Sequence, residues 1–131
     1  MSLCGCFSLG ATRLYEDQIG YSRAVVAGPW VFVSGTTGFD YARMTIADDV
    51  VQQCRQAMAN VAATLARAGA SVADVVRVRY ILPRRDDFAA CWPVLQEYFG
   101  DVRPAATMIE AGLLDPRMKI EVEVTARRRR A

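Results

Sequence analysis

Hydrophobic and polar positions along this 131-residue chain change period several times. Tyr21 to Ala27 and Trp30 to Thr36 are dense in β-branched and aromatic residues. Ala27-Gly28-Pro29 between them is turn chemistry, so the spacing predicts a hairpin. Residues 1–19 carry no clean period and read as an irregular lead-in, while Gly38 to Arg43 is a polar excursion with room for a short third strand. The period then turns helical through Ile46, Val50, Cys54, Met58, Val61 and Leu65. Thr45 and Asp48 have capping-box spacing, Asp48 and Asp49 suit the positive end of the dipole, and Gly69 is a good C′ residue. Ser71 opens a brief helical turn. Val75 to Leu82 reads as a strand ended by Pro83, with Val76, Val78 and Tyr80 on one face and Arg77 and Arg79 on the other. Asp86 is placed to cap a second helix reaching about Phe99, with Phe88, Trp92, Leu95 and Phe99 on its apolar side. Pro93 inside it predicts a kink or a late start, and Gly100 closes it. Two strands, Ala105 to Ala111 and Met118 to Ala126, follow around Gly112 and the Asp115-Pro116 turn. In the last one Lys119, Glu121 and Glu123 alternate with Ile120, Val122 and Val124.

Hairpin, helix, strand, helix, strand, strand is the pattern of an α+β domain, with two long helices on one face of a mixed sheet. The opposite sheet face bears many Arg and Glu residues and is expected to be wet or to meet another subunit. Without a linker, low-complexity stretch or internal repeat, residues 1–131 read as a single unit.

Composition narrows the function. A hydrophobic fraction of 53% with 23% charged residues excludes a disordered chain. No apolar run approaches the ~18 residues of a membrane span, and no basic stretch leads into a signal-like apolar run, so a cytoplasmic protein is expected. Histidine is absent, which removes Ser-His-Asp and Cys-His catalysis, His-ligated zinc and an imidazole proton shuttle. Sixteen basic against fourteen acidic residues give +2. Arg127 to Arg130 supply four of these and are read as a solvated, frayed tail, leaving a body near −2 that is ill suited to nucleic acid. Cys54 and Cys91 fall in helical patterns as core residues, while Cys4 and Cys6 lie loose near the N-terminus. The spacing is not that of a metal site.

From about residue 19 to 128 the order of elements and the local sequences resemble the Rid family of reactive intermediate deaminases, also called YjgF or L-PSP endoribonuclease-like proteins. The resemblance is carried by Ile19–Arg23, Val31–Thr37 with Ser34-Gly35, Ala68-Gly69-Ala70, Asp74-Val75-Val76-Arg77, Asp87-Phe88, Pro104–Thr107 and Lys119–Ala126. It implies a chorismate-mutase-like subunit, three of which form a homotrimer with inward-facing sheets and ligand clefts between neighbours. Active members of the family hydrolyse small imines and enamines such as 2-aminoacrylate, without metal or organic cofactor. Their arginine clamp grips the substrate carboxylate in a two-pronged hydrogen bond, and a glutamate places the attacking water.

Carried across position by position, the resemblance puts Tyr21, Ser34, Gly35, Phe88 and Glu121 in the cleft, with Met108 as a further lining residue. Tyr21 and Phe88 would wall it, Ser34 and Gly35 would offer a hydroxyl and backbone N–H groups, and Glu121 would hold the water or take its proton. One position departs. The family's Pro-Ala-Arg-Ser/Thr segment is Pro104, Ala105, Ala106, Thr107 here, so alanine stands where the clamp belongs. A lost charged contact costs about 1.5–3 kcal/mol per hydrogen bond, which argues against an ordinary 2-aminoacrylate deaminase. Arg23 and Arg79 are candidate replacements or partners of Glu121. Arg103 is close in sequence but restricted by Pro104. Three functions stay open: a hydrolase or deaminase of a small C–N compound, a non-catalytic trimer that binds or senses a metabolite, and, ranked last for want of histidine and basic surface, a ribonuclease.

Overall fold

A computed structural model describes residues 7–9 and 16–129. Cys4, Cys6 and Arg130 lie outside the described residues. The elements are β1 (Phe7–Leu9), α1 (Glu16–Ile19), β2 (Ala24–Ala27), β3 (Trp30–Thr37), β4 (Phe39–Asp40), β5 (Thr45–Ile46), α2 (Val50–Arg67), β6 (Val75–Leu82), α3 (Phe88–Phe99), β7 (Ala105–Glu110) and β8 (Glu121–Arg127). Six strands form one sheet in the order β1-β2-β3-β8-β6-β7; β6 and β7 are parallel and the other neighbours antiparallel. Helices α2 and α3 cover one face. The core between the layers holds Val31 and Val33 of β3, Val122 and Val124 of β8, Val78 and Leu82 of β6, Met58, Val61 and Leu65 of α2, and Val94 and Leu95 of α3. The expected α+β class, two long helices on a mixed sheet, is the one found.

Several local expectations need correction. The lead-in is not wholly irregular, because Phe7–Leu9 pairs with β2 and Glu16–Ile19 makes a helical turn. Thr45 does not cap α2. Thr45 and Ile46 pair with Asp40 and Phe39 in a small hairpin, and Asp49 caps the helix by accepting from the Gln52 N–H at 3.0 Å. Val76 does not share a face with Val78 and Tyr80: the pairing of β6 with β8 shifts between Val75 and Arg77, and this bulge leaves Val76 exposed. Asp86 sits in a 3-10 turn ahead of α3, and the N-cap position is Asp87. Gly100 keeps right-handed angles (φ −54°, ψ −38°), and the left-handed residue that ends the turn after α3 is Arg103 at φ 55°.

The basic tail is structured as far as Arg129. Arg127 ends β8 and lies over the Trp30 ring. The Arg128 guanidinium donates to Gly28 O at 2.6 Å and to Ala68 O at 3.3 Å, satisfying a carbonyl at the C-terminal end of α2, and Arg129 pairs with Asp74. Cys54 and Cys91 are both buried, α2 against α3. The hydrogen bond between their thiols pushes Cys54 up and Cys91 down from the usual thiol range.

Candidate active site at the start of strand β8

Glu121 is the first residue of β8, and its partners Thr37 on β3 and Ile81 on β6 fix its height in the sheet. Beside it β3 bulges between Val33 and Thr36, at Ser34 and Gly35. The missing Cβ at Gly35 is what admits the carboxyl: one built there would lie 2.5 Å from Glu121 Cδ and 2.6 Å from Oε2. Burial raises the Glu121 pKa above the ordinary carboxylate value, Arg23 pulls it back down, and Glu123 adds to the rise.

Arg23 is 5% exposed. Its guanidinium donates to Gly35 O and Thr36 Oγ1, while its buried Nε has no hydrogen-bond partner. Together Tyr21, Arg23, Gly35, Thr37 and Glu121 border a pocket of about 150 Å³. Phe39, Tyr41, Met44, Leu114 and Met118 form its apolar wall, and Arg117 completes it. The Arg117 guanidinium lies 5.2 Å over the Phe39 ring and forks onto Asp115 (2.8 and 3.1 Å), whose pKa this bonding holds down at about 2.

Two α2 side chains carry these walls. Gln53, wholly buried, donates to Ala47 O and Arg117 O and accepts from the Lys119 N–H. Asn60 donates to Thr37 O and Phe39 O. Neither was visible in the sequence, where each is a polar residue in an amphipathic helix; nor were Phe39 and Arg117, which reach the pocket from loops and a two-residue strand.

The expected cleft residues divide. Tyr21, Arg23, Gly35 and Glu121 come together. Ser34 adjoins them, but its hydroxyl donates to Ser22 O at 2.6 Å. Arg79 is not with Glu121; it pairs with Glu123 at 3.3 Å on the open sheet face. Ala106 stands opposite Val78 and Met108 opposite Tyr80 in the parallel ladder, so both lie on the helix-covered side, whereas Glu121 shares the other side with Ile81. Met108 packs against the core, and Phe88 and Ala106 border a separate groove between α3 and β7. Within one protomer, then, Glu121 and Ala106 are on opposite faces of the sheet.

Among the described residues no helix is long and apolar enough to cross a membrane.

A six-stranded mixed sheet backed by two helices, with a small carboxylate-bearing pocket where β8 begins, places the chain among α+β domains. Residues 15–128 match the family described as Endoribonuclease L-PSP, and the chain belongs to that family, known equally as Rid or YjgF. A RutC family protein of Pyrococcus horikoshii is 36% identical over 107 residues, 81% of this chain and 85% of that one. A 2-iminobutanoate/2-iminopropanoate deaminase of Salmonella typhimurium is 32% identical over 123 residues, 91% of this chain and 96% of that one. The crystal structure of a YjgF/YER057c/UK114 family member from Mycobacterium tuberculosis superposes with a TM-score of 0.85 at 34% identity, covering 93% of this chain and 98% of that one.

Proposed function

We propose that this protein is a cofactor-independent hydrolase of small imines or enamines, working as a homotrimer, with Glu121 as its acid–base group. The observation that carries this reading is the Glu121 carboxyl, seated against the Gly35 backbone beside a buried arginine, with its pKa raised by burial. A carboxyl raised in this way exchanges protons more readily near neutral pH than an ordinary surface glutamate. Relatives named as 2-iminobutanoate/2-iminopropanoate deaminases support the reaction class.

The steps balance without a cofactor. Ionised Glu121 takes a proton from water as the water oxygen bonds to the imine carbon. The neutral carboxyl then returns that proton to the nitrogen, and collapse of the carbinolamine releases ammonia and leaves a carbonyl. Arg23 offsets the negative charge on Glu121 before the first transfer and after the second, and the apolar wall limits competing water.

Ala106 favours a second reading. Without a clamp at this position the protein would be a trimeric metabolite binder that performs no chemistry. Imines generated in situ by an amino-acid oxidase separate the two. On the hydrolase reading, carbonyl formation runs faster than the spontaneous rate with the native protein and falls at least a hundredfold with Glu121→Gln. Native protein that never exceeds the spontaneous rate, together with an active Ala106→Arg variant, would instead mean an intact cleft whose own ligand is not a 2-imino acid.

A further inference from the structure

A cavity of about 170 Å³ lies between the C-terminal half of α2 and the segments that hold Arg23 and Tyr41. Arg23 and Tyr41 also border the Glu121 pocket, so they partition the two spaces, and Glu121 does not line this one. Sites for drug-sized ligands begin at about 300 Å³, which restricts the occupant to a very small molecule or ion. The cavity opens to solvent at Ala63 and Arg67, both exposed, and no carboxylate lines it.

The groups around it have donors to spare and acceptors already in use. Among the described residues Arg23 enters no ion pair. Of its guanidinium nitrogens only Nη2 is bonded, to Gly35 O and Thr36 Oγ1, and the buried Nε has no partner. Thr64 is also 5% exposed, and neither its hydroxyl nor that of Tyr41 has a hydrogen-bond partner. On the acceptor side, Thr36 Oγ1 receives the Arg23 bond and Asn60 Oδ1 receives one from Gln56. The carbonyls at the negative end of α2 are engaged too: Thr64 O by the Ala68 N–H, Leu65 O by Ala70, Ala66 O by Gly69 and Ala68 O by Arg128. A buried arginine without an ion pair is costly unless an anion completes it.

We propose that this cavity binds a tetrahedral oxyanion of the size of phosphate or sulfate, held by Arg23 and the Thr64 and Tyr41 hydroxyls, with Arg67 at the mouth. Charge and spare donors select an anion, and the volume selects a small one. Donors on three separate side chains select an ion with several oxygens over a halide. The proposal goes beyond the hydrolase reading and holds whether or not Glu121 turns anything over.

The test is equilibrium binding of inorganic phosphate to the intact protein at pH 8, followed by broadening of its phosphorus NMR resonance at constant ionic strength. The broadening should saturate, an equal concentration of sulfate should reverse it by about half, and a tenfold excess of chloride should leave it in place. Thr64→Val keeps the shape and removes only the hydroxyl, and should weaken phosphate about tenfold. Ala63→Glu places a like charge at the mouth on an exposed helix position and should abolish the broadening. Arg23→Gln should abolish it as well; where loss of the buried arginine unfolds that variant, the two helix variants decide. Leu114→Ala alters only the Glu121 pocket and should bind phosphate like the native protein. Broadening that never saturates, displacement by the chloride excess, or native binding in Thr64→Val and Ala63→Glu overturns the proposal. So does loss of binding in Leu114→Ala, since the ion then sits in the Glu121 pocket. Turnover enters none of these readouts, so failure here and failure of the hydrolase reading are distinguishable.

Discussion

Glu121 shows how one carboxyl links stability to chemistry. Its native pKa is raised above the unfolded value, which lies near 4.3 for glutamate. Between those two values the folded protein holds a proton that the unfolded chain has lost, so stability falls as pH climbs through that window and the full penalty persists above it. Glu121→Gln has no charge to bury. The variant should therefore melt at a higher temperature than the native protein at pH 8 and at the same temperature near pH 3.5, where both side chains are neutral. Thermal melts of the two proteins at those pH values check this, and a variant less stable at pH 8 would show that the pairing with Arg23 outweighs desolvation. The family resemblance, and not residue type or spacing, singled out Glu121, Tyr21 and Gly35 as candidates, and strand parity with Tyr21 added Arg23. They could not show that Gly35 is needed for its missing Cβ, which depends on a bulge in β3.

At the scale of elements, periodicity located the long helices and the strands β3, β6 and β8 because each buries one face, whereas β7 has no buried position and was legible only from its flanking turns. It failed where a short-range pairing or a bulge competes with the period. The β4–β5 hairpin takes Thr45 and Ile46 away from α2, and the β6 bulge turns Val76 outward. Arg127 to Arg129 looked like a solvated charge run because sequence does not show that Gly28 O, Ala68 O and Asp74 lie within their reach. Gln53 is the sharpest such case. Its amide ties α2 to the segment before β8 by donating to Arg117 O and accepting from the Lys119 N–H, both at 2.8 Å, and it also donates to Ala47 O ahead of α2 at 2.7 Å. Gln53→Leu leaves those backbone groups buried and unpaired, at an expected cost of about 3 kcal/mol. Because Arg117 and Met118 belong to the freed segment, turnover should fall too, whereas a purely structural loss would leave kcat unchanged in the folded fraction. Urea melts and kinetics on the same variant read the two effects separately.

At the scale of the whole molecule, the sheet face away from the helices decides what one protomer can do alone. Phe32 is 48%, Val76 45%, Trp30 39% and Ile109 38% exposed, and between them runs the half-exposed Arg79–Glu123 pair. Isolated apolar residues on a surface are ordinary, but four large ones around the open face of a central sheet favour a covering partner. Glu121 lies on this face, with Ala106 and Phe88 on the other, so a site that used both sets would have to draw them from different subunits. Phe32 pairs with Thr125 at the middle of β3 and has no role in the core. Phe32→Asp should therefore leave the protomer folded, with native circular dichroism, while placing a charge in the shared face of any assembly. Light scattering should then give a mass near the chain's 14.4 kDa in place of about three times that value, and turnover should fall with the trimer. If the variant assembles and turns over like the native protein, this face is solvated and the pocket at β8 is complete within one chain. A monomeric variant with full activity would separate assembly from chemistry and confine the acid–base site to the residues that surround Glu121 in a single protomer.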